Sequence, residues 1–265
     1  MNKISFQILG SSSSGNCSVL RTPLSTVLID AGFSGKKTSQ YLGELGLSFS
    51  DIDAVFFTHE HSDHCDGARA LSRCAGLQFF ANRATAEQID RKASRRIDWN
   101  FFETGTSFEF RDLRVTTFSI PHDAADPVGF VFAVGDSAGT TERLAWLTDC
   151  GKITGVVRRA VANVDALVLE SNYDGAMLAN SGRPAYLIQR IRSSHGHLSN
   201  AAAAEFLSEY ENPRLEKLLL AHVSRDCNTV PLVRESCDGA LGSCGICAEV
   251  VDPKRFLQPG AGWGF

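Results

Sequence analysis

Apolar and polar positions alternate with a period of two near the start of the chain. Ile4, Phe6 and Ile8 carry the apolar phase, which predicts a half-buried strand. Residues 17–21 and 26–29 continue as two more strands, the second running into Asp30-Ala31-Gly32. The run Ser11-Ser12-Ser13-Ser14-Gly15-Asn16 reads as a turn-forming loop. Residues 52–57 predict a buried strand, 68–74 a helix, 77–80 a strand and 84–93 another helix. Short strands fill 101–122 around the turn Glu103-Thr104-Gly105, and 129–134 and 143–147 follow as strands.

The second half alternates between the two periods. Helices are expected over 154–161, 183–191 and 200–210, the last Ala-rich and capped by Ser199, with strands over 166–169 and 217–220. Strands in both halves with helices outside predict two sheets face to face, each covered by helices. One α/β domain over residues 1–250 is expected, followed by a tail, 251–265. The glycine-rich end of that tail, 258–265, is expected to be poorly ordered or used for contacts.

Composition narrows the class. The chain has 265 residues, 43% hydrophobic and 21% charged, as in an ordinary globular protein. It shows neither an apolar run of membrane-spanning length nor a signal-peptide pattern, so a cytoplasmic protein without membrane contact is expected. A formal charge of −4 gives no global attraction to nucleic acid. Such a role must rest on a local patch, and two basic segments offer one: Arg91, Lys92, Arg95 and Arg96, and Arg183, Arg190 and Arg192. The eight cysteines are expected as free thiols. Cys244 and Cys247 form a lone C-x2-C with Cys237 upstream, and lack a fourth ligand for structural zinc. Cys65 and Cys150 each follow a candidate ligand and are expected to pack beside it.

The chemistry concentrates in Thr58-His59-Glu60-His61-Ser62-Asp63-His64. Three imidazoles and a carboxylate at the end of a rigid strand are a metal-site arrangement. His59 and His61 can point to one side of an extended segment, with Asp63 and His64 turning in from a helix entrance, which suits two neighbouring ions better than one. The pattern of apolar strand followed by polar ligand recurs at Asp30, at His122 after Ser119-Ile120-Pro121, at Asp149 after Trp146-Leu147-Thr148, and at His222 after Leu219-Leu220-Ala221.

The ordered set Asp30, H-x-H-x-D-H, His122, Asp149 and His222 resembles the metallo-β-lactamase superfamily, and within it the YycJ/WalJ-like subfamily, described as DNA exonucleases. The segments 9–16, 121–130, 169–174 and 195–200 carry the subfamily likeness, which runs from about residue 4 to about residue 233. Cys150 stands where a threonine is expected. The resemblance implies a four-layer αββα sandwich with two divalent ions at one edge. Zinc or manganese fits such nitrogen and carboxylate donors, and iron is also compatible. One ion falls to His59, His61 and His122, the other to Asp63, His64 and His222, with Asp149 bridging. Asp30 is implied to orient a histidine of the cluster by accepting its second N–H.

Two ions sharing a hydroxide suit phosphodiester hydrolysis, and the resemblance narrows the expected activity to a metal-dependent phosphodiesterase acting on an end of single- or double-stranded DNA. His197, before a helix start, resembles the extra catalytic histidine of the tRNA-processing nucleases and is expected to protonate the leaving oxygen; with Asp63 and Asp30 it makes up the catalytic candidates. Ser14, Asn16, Asn172, His195 and Ser199 are the candidate substrate contacts, and Glu170 can serve as a buried hydrogen-bonding residue. The alternative is a small-molecule ester, thioester or lactone hydrolase on the same fold. A redox diiron protein places a carboxylate where this chain has His61, and a relic scaffold would have lost some of the seven ligands.

Overall fold

The apolar runs belong to strands buried on both faces. Val27 and Ile29, Phe56, Leu144 and Trp146, Val168 and Leu219 point inward to a common core, which Phe6, Phe130 and Phe132 also fill. Their neighbours Leu28, Val55 and Phe57 point the other way, against one set of helices. Ala145, Leu147, Leu167, Leu169, Leu218 and Leu220 do the same on the opposite side of the molecule. Side chains alternating across a strand produce this split, and a strand covered on both faces has no polar phase to show.

The computed structural model describes residues 3–93, 96–135, 141–241, 246–258 and 261–264. The first sheet holds β1 (Ser5–Ser12), β2 (Gly15–Arg21), β3 (Thr26–Ile29), β4 (Ala54–Phe56), β5 (Gln78–Ala81) and β6 (Trp99–Phe101), in that order. The second holds β7 (Ser107–Phe110), β8 (Leu113–Ser119), β9 (Val128–Gly135), β10 (Thr141–Leu147), β11 (Ala166–Glu170), β12 (Lys217–Ala221) and β13 (Ala248–Val250). A short strand, β14 (Gly262–Trp263), pairs with β1 at the edge of the first sheet. Helices α1 (Gly35–Glu44), α3 (Ala68–Leu71) and α4 (Arg83–Ala93) cover the first sheet. The short α2 (Ser62–Cys65) stands at its edge. Helices α5 (Gly155–Val161), α8 (Asn200–Ser208) and α9 (Val230–Leu241) cover the second. Between α5 and α8 in sequence, α6 (Gly175–Ala179) and α7 (Ala185–Arg192) form an arm, and α7 has no buried residue. This is the expected αββα order.

The register sets the site. Ile29 pairs with Phe56 across parallel β3 and β4. Leu147 pairs with Leu169, and Leu169 with Leu220, across β10, β11 and β12. Parallel strands in register end at one level, so the residues just past their C-terminal ends converge on one edge. Three of these exits, Asp30, Asp149 and His222, have left-handed backbones, with φ of 60°, 56° and 53°. That turn ends the strand at once and costs roughly 1–3 kcal/mol at a non-glycine residue.

Several segments depart from the sequence reading. The serine run is mostly strand: β1 reaches Ser12 and β2 starts at Gly15, so the turn is Ser13-Ser14. Buried serines obscure a strand pattern, and Ser11 is buried because its Oγ accepts the His222 N–H at 2.9 Å. Helix α1 escapes detection because only Thr38, Tyr41 and Leu42 of its ten residues are buried, among two glycines. Part of the C-terminal segment is used for contacts: Phe256 stacks on Tyr41 at 5.2 Å, and Trp263 pairs with Phe6. Cys237 is a core residue of α9 and Cys247 is exposed, whereas Cys244 and Arg95 lie outside the described residues.

Two glycines predict opposite outcomes. A Cβ on Gly32 would stand 1.7 Å from the Asp63 carbonyl oxygen, whereas one on Gly43 of α1 meets nothing within 4 Å. Gly32→Ala should destabilise the protein by about 1–3 kcal/mol or more. Gly43→Ala should stabilise it by about 0.5–1 kcal/mol. Urea unfolding of both variants measures the signs.

Candidate metal centre

His59 lies three residues past β4, His61 takes the N-cap position of α2, and Asp63 and His64 lie within that helix. His122 follows β8, Asp149 follows β10 and His222 follows β12. Their donor atoms gather in overlapping sets. His59, His61 and His122 each offer an atom within 4.8 Å of the others, as do Asp63, His64 and His222. Asp149 lies between the sets: Oδ2 is 3.2 Å from His64 Nε2, and Oδ1 is 3.7 Å from His122 Nε2.

In four rings the nitrogen facing away from the centre is occupied. His59 Nδ1 lies 3.0 Å from Thr58 Oγ1, which donates to Asp30. His64 Nδ1 lies 2.8 Å from Asp30 Oδ2, His122 Nδ1 2.9 Å from the Gly196 carbonyl, and His222 Nδ1 2.7 Å from Glu170 Oε1. Carbonyl and carboxylate oxygens only accept, so these Nδ1 atoms donate and the Nε2 atoms face inward. His59 Nε2, His222 Nε2 and Asp149 Oδ2 are buried without a hydrogen-bond partner. Buried polar atoms are rarely left so unless something binds them. Nitrogen and carboxylate donors so arranged fit divalent cations.

The charges agree. Burial opposes a charge on His222, yet Asp149, the neighbouring Asp63 carboxylate and the hydrogen bond to Glu170 raise it to about 10. Burial likewise works against His64, and Asp149, Asp30 and Asp63 lift it well above the usual histidine range. Burial opposes ionising Asp63, and His64 and His222 beside it hold it at about 2. His59, deepest among like neighbours, is pushed well below the usual range, by burial first and then by His64. Protons on His64 and His222 thus compete with a cation for nitrogens beside ionised carboxylates.

Glu170 carries more than the sequence suggests. It is fully buried at the end of β11, and its Oε1 accepts from both His222 Nδ1 and His197 Nδ1, the latter at 2.8 Å. Its Oε2 accepts the N–H groups of Cys150 and Leu198. Burial opposes its charge, but His197 and the two histidine bonds hold it at about 2. His197 lies between the halves of the centre, its ring centroid 5.3 Å from those of both His122 and His222.

A cleft of about 180 Å³ opens onto the centre, and His61, His122, His197, Asn172, Arg183 and Arg190 are among its lining. The substrate candidates divide there. Asn172 lines the cleft and donates to the His222 carbonyl at 2.7 Å. Asn16 instead supports the metal residues, its Nδ2 reaching Asp63 Oδ2 at 3.1 Å. Ser14 is turned outward and accepts from Arg225, while the neighbouring Ser13 lines the cleft. Ser199 caps α8 by accepting the Ala202 N–H, and His195 is exposed beside Ser194, neither lining the cleft. The Cys65 and Cys150 thiols donate to the Glu60 and Lys152 carbonyls. Asp123, unmarked in the sequence except as His122's neighbour, also lines the cleft.

A metal-binding centre at the edge of an αββα sandwich defines the chain as a metal-dependent hydrolase. The model of the beta-lactamase superfamily domain matches residues 25–223. Exodeoxyribonuclease WalJ of Streptococcus pneumoniae serotype 2 (strain D39 / NCTC 7466) is 35% identical over 86% of this chain and 85% of its own length. Exodeoxyribonuclease YycJ of Bacillus anthracis is 32% identical over 91% of this chain and 90% of its own. The crystal structure of the metallo-β-lactamase fold protein YhfI from Bacillus subtilis superposes with a TM-score of 0.70 at 14% identity, covering 94% of this chain and 96% of that one. The chain belongs to the metallo-β-lactamase superfamily, in the group of the WalJ and YycJ proteins.

Because His222 is raised to about 10, the metal-free protein holds its proton at pH 7 and metal uptake must release it. Calorimetric zinc titration in buffers of different ionisation enthalpy should show net proton release and weaker binding as pH falls. Asp30→Asn should reduce metal affinity about 10–100-fold, read by competition with a chromogenic chelator.

Proposed function

We propose that the protein is a two-metal phosphodiesterase that removes nucleotides from a DNA end, single- or double-stranded. His59, His61 and His122 would hold one ion, Asp63, His64 and His222 the other, with Asp149 shared between them. Zinc or manganese is the expected metal, with iron also compatible. When bound, the ions supply a water activated near neutral pH and positive charge for the phosphoryl oxygens. The protein's own groups do the rest. Asp30, Gly196 and Glu170 fix the ring orientations, and Asn172 holds the His222 backbone.

His197 carries the reading. It lines the cleft between the two halves, and Glu170 takes its Nδ1–H, so Nε2 is the nitrogen turned to a substrate. A histidine placed there can give a proton to the leaving oxygen of a phosphodiester. The names of the two bacterial relatives point to DNA as the polymer, and a cytoplasmic site of action follows from that substrate. Among the described residues no helix is long and apolar enough to cross a membrane. Leu178, Leu187 and Ile191 give the cleft an apolar wall, which is the observation favouring a small ester, thioester or lactone instead.

End-labelled single- and double-stranded DNA, incubated with protein in Mn²⁺, Zn²⁺ or chelator, tests the proposal. Metal-dependent shortening that His61→Ala abolishes is the expected result. Protein that carries two ions yet cuts no DNA would shift the assignment to the small substrate. His197→Ala should slow cleavage about 10²–10⁴-fold while metal content stays at the wild-type level. Loss of metal in that variant would make His197 a ligand.

A further inference from the structure

The carboxylate of Asp123 has no part in the site as built so far, yet it stands among the ligand nitrogens. His122 gives its Nδ1–H to the Gly196 carbonyl and meets His61 Nδ1 at 3.2 Å through its Nε2. Asp123 Oδ1 lies 3.6 Å from that nitrogen and 3.8 Å from His61 Nε2. Asp149 Oδ1 stands at 3.7 Å from the same His122 nitrogen. Ligands at about 2.0–2.2 Å from one ion leave their donor atoms at about this separation.

The other side of the carboxylate is held from outside. Asp123 Oδ2 is paired with the Arg190 guanidinium of α7, while Oδ1 is the oxygen near His122 and His61. The Asp123 side chain is 31% exposed and that of Arg190 57%, against 3% for Asp149. Asp149 is therefore fixed, while Asp123 and Arg190 stand in the cleft where a substrate enters.

Resting on the two-ion reading above, we propose that Asp123 is a further ligand of the ion at His59, His61 and His122, displaced by a substrate phosphate while Arg190 passes from the carboxylate to that phosphate. A phosphoryl oxygen is the same kind of hard, anionic donor as the carboxylate it replaces, and a guanidinium pairs with either by the same fork of N–H groups. The ion keeps its ligand number and Arg190 its anionic partner throughout the exchange. The arm bearing α7 thereby registers whether the cleft holds a phosphate.

The test uses the Co²⁺-loaded full chain and inorganic phosphate, with absorption spectra of wild type, Asp123→Asn and Arg190→Gln. Asp123→Asn should alter the cobalt spectrum of the phosphate-free protein, and saturating phosphate should make its spectrum match that of wild type. Arg190→Gln should keep the wild-type phosphate-free spectrum and bind phosphate about 10–100-fold more weakly. Identical phosphate-free spectra for wild type and Asp123→Asn, both fully loaded, overturn the proposal. So does a spectral difference that persists with phosphate bound, which would make Asp123 an orienting partner of His61. Wild-type protein that takes up fewer than two Co²⁺ overturns the two-ion reading itself, a separate result. Far-ultraviolet circular dichroism of each variant excludes misfolding as the cause.

Discussion

Burying carboxylates at the edge of an apolar sandwich is the constraint around which this molecule is organised. Asp30, Asp149 and Glu170 are each almost wholly removed from water. An isolated carboxylate in such a place is several kcal/mol unstable, so each must face positive charge or donors. Asp30 faces Thr58 and His64; Glu170 faces His197, His222 and two backbone N–H groups; Asp149 lies among His64, His122 and His222. His59, His64, His122, His197 and His222 thus each have one nitrogen committed to the frame, and in all of these but His197 the other faces the centre.

The frame explains otherwise costly features. Left-handed backbone at Asp30, Asp149 and His222 is tolerated because the strand register and the buried bonds beyond it leave no alternative. The β1–β2 hairpin carries buried serines and Asn16 where apolar residues would pack better, because Ser11 and Asn16 bond the backbone of His222 and the carboxylate of Asp63. Gly32 lets the chain pass against the Asp63 carbonyl, which brings the exits of β3 and β4 together.

Around this rigid centre the substrate-facing parts are looser. Arm helix α7 has no buried residue and meets the centre through the cleft-lining Leu187, Arg190 and Ile191. Arg183 pairs with Asp226 and Arg190 with Asp123, so the basic groups at the mouth are held by carboxylates. The molecule thus sets a buried frame of histidines and carboxylates beside a more exposed cleft mouth.

The sequence by itself determined the layers and the ligand types. Strands covered on both faces must be apolar throughout, and a histidine- and aspartate-rich segment following one is a metal-site pattern, so β3, β4, β10 and β12 and their exits were legible locally. Helix α1, with its narrow buried stripe, and the serine strands were not, because their burial comes from distant partners. The roles of individual polar residues were decided by tertiary structure alone. Ser199 caps a helix, Ser14 turns outward, Asn16 braces Asp63, and Glu170 joins His197 to His222. Asp123, 62 positions from His61 by sequence number, stands beside it only once the sheets pack. A residue type limits what a side chain can bond; which partner it meets depends on separations along the chain that no local pattern records.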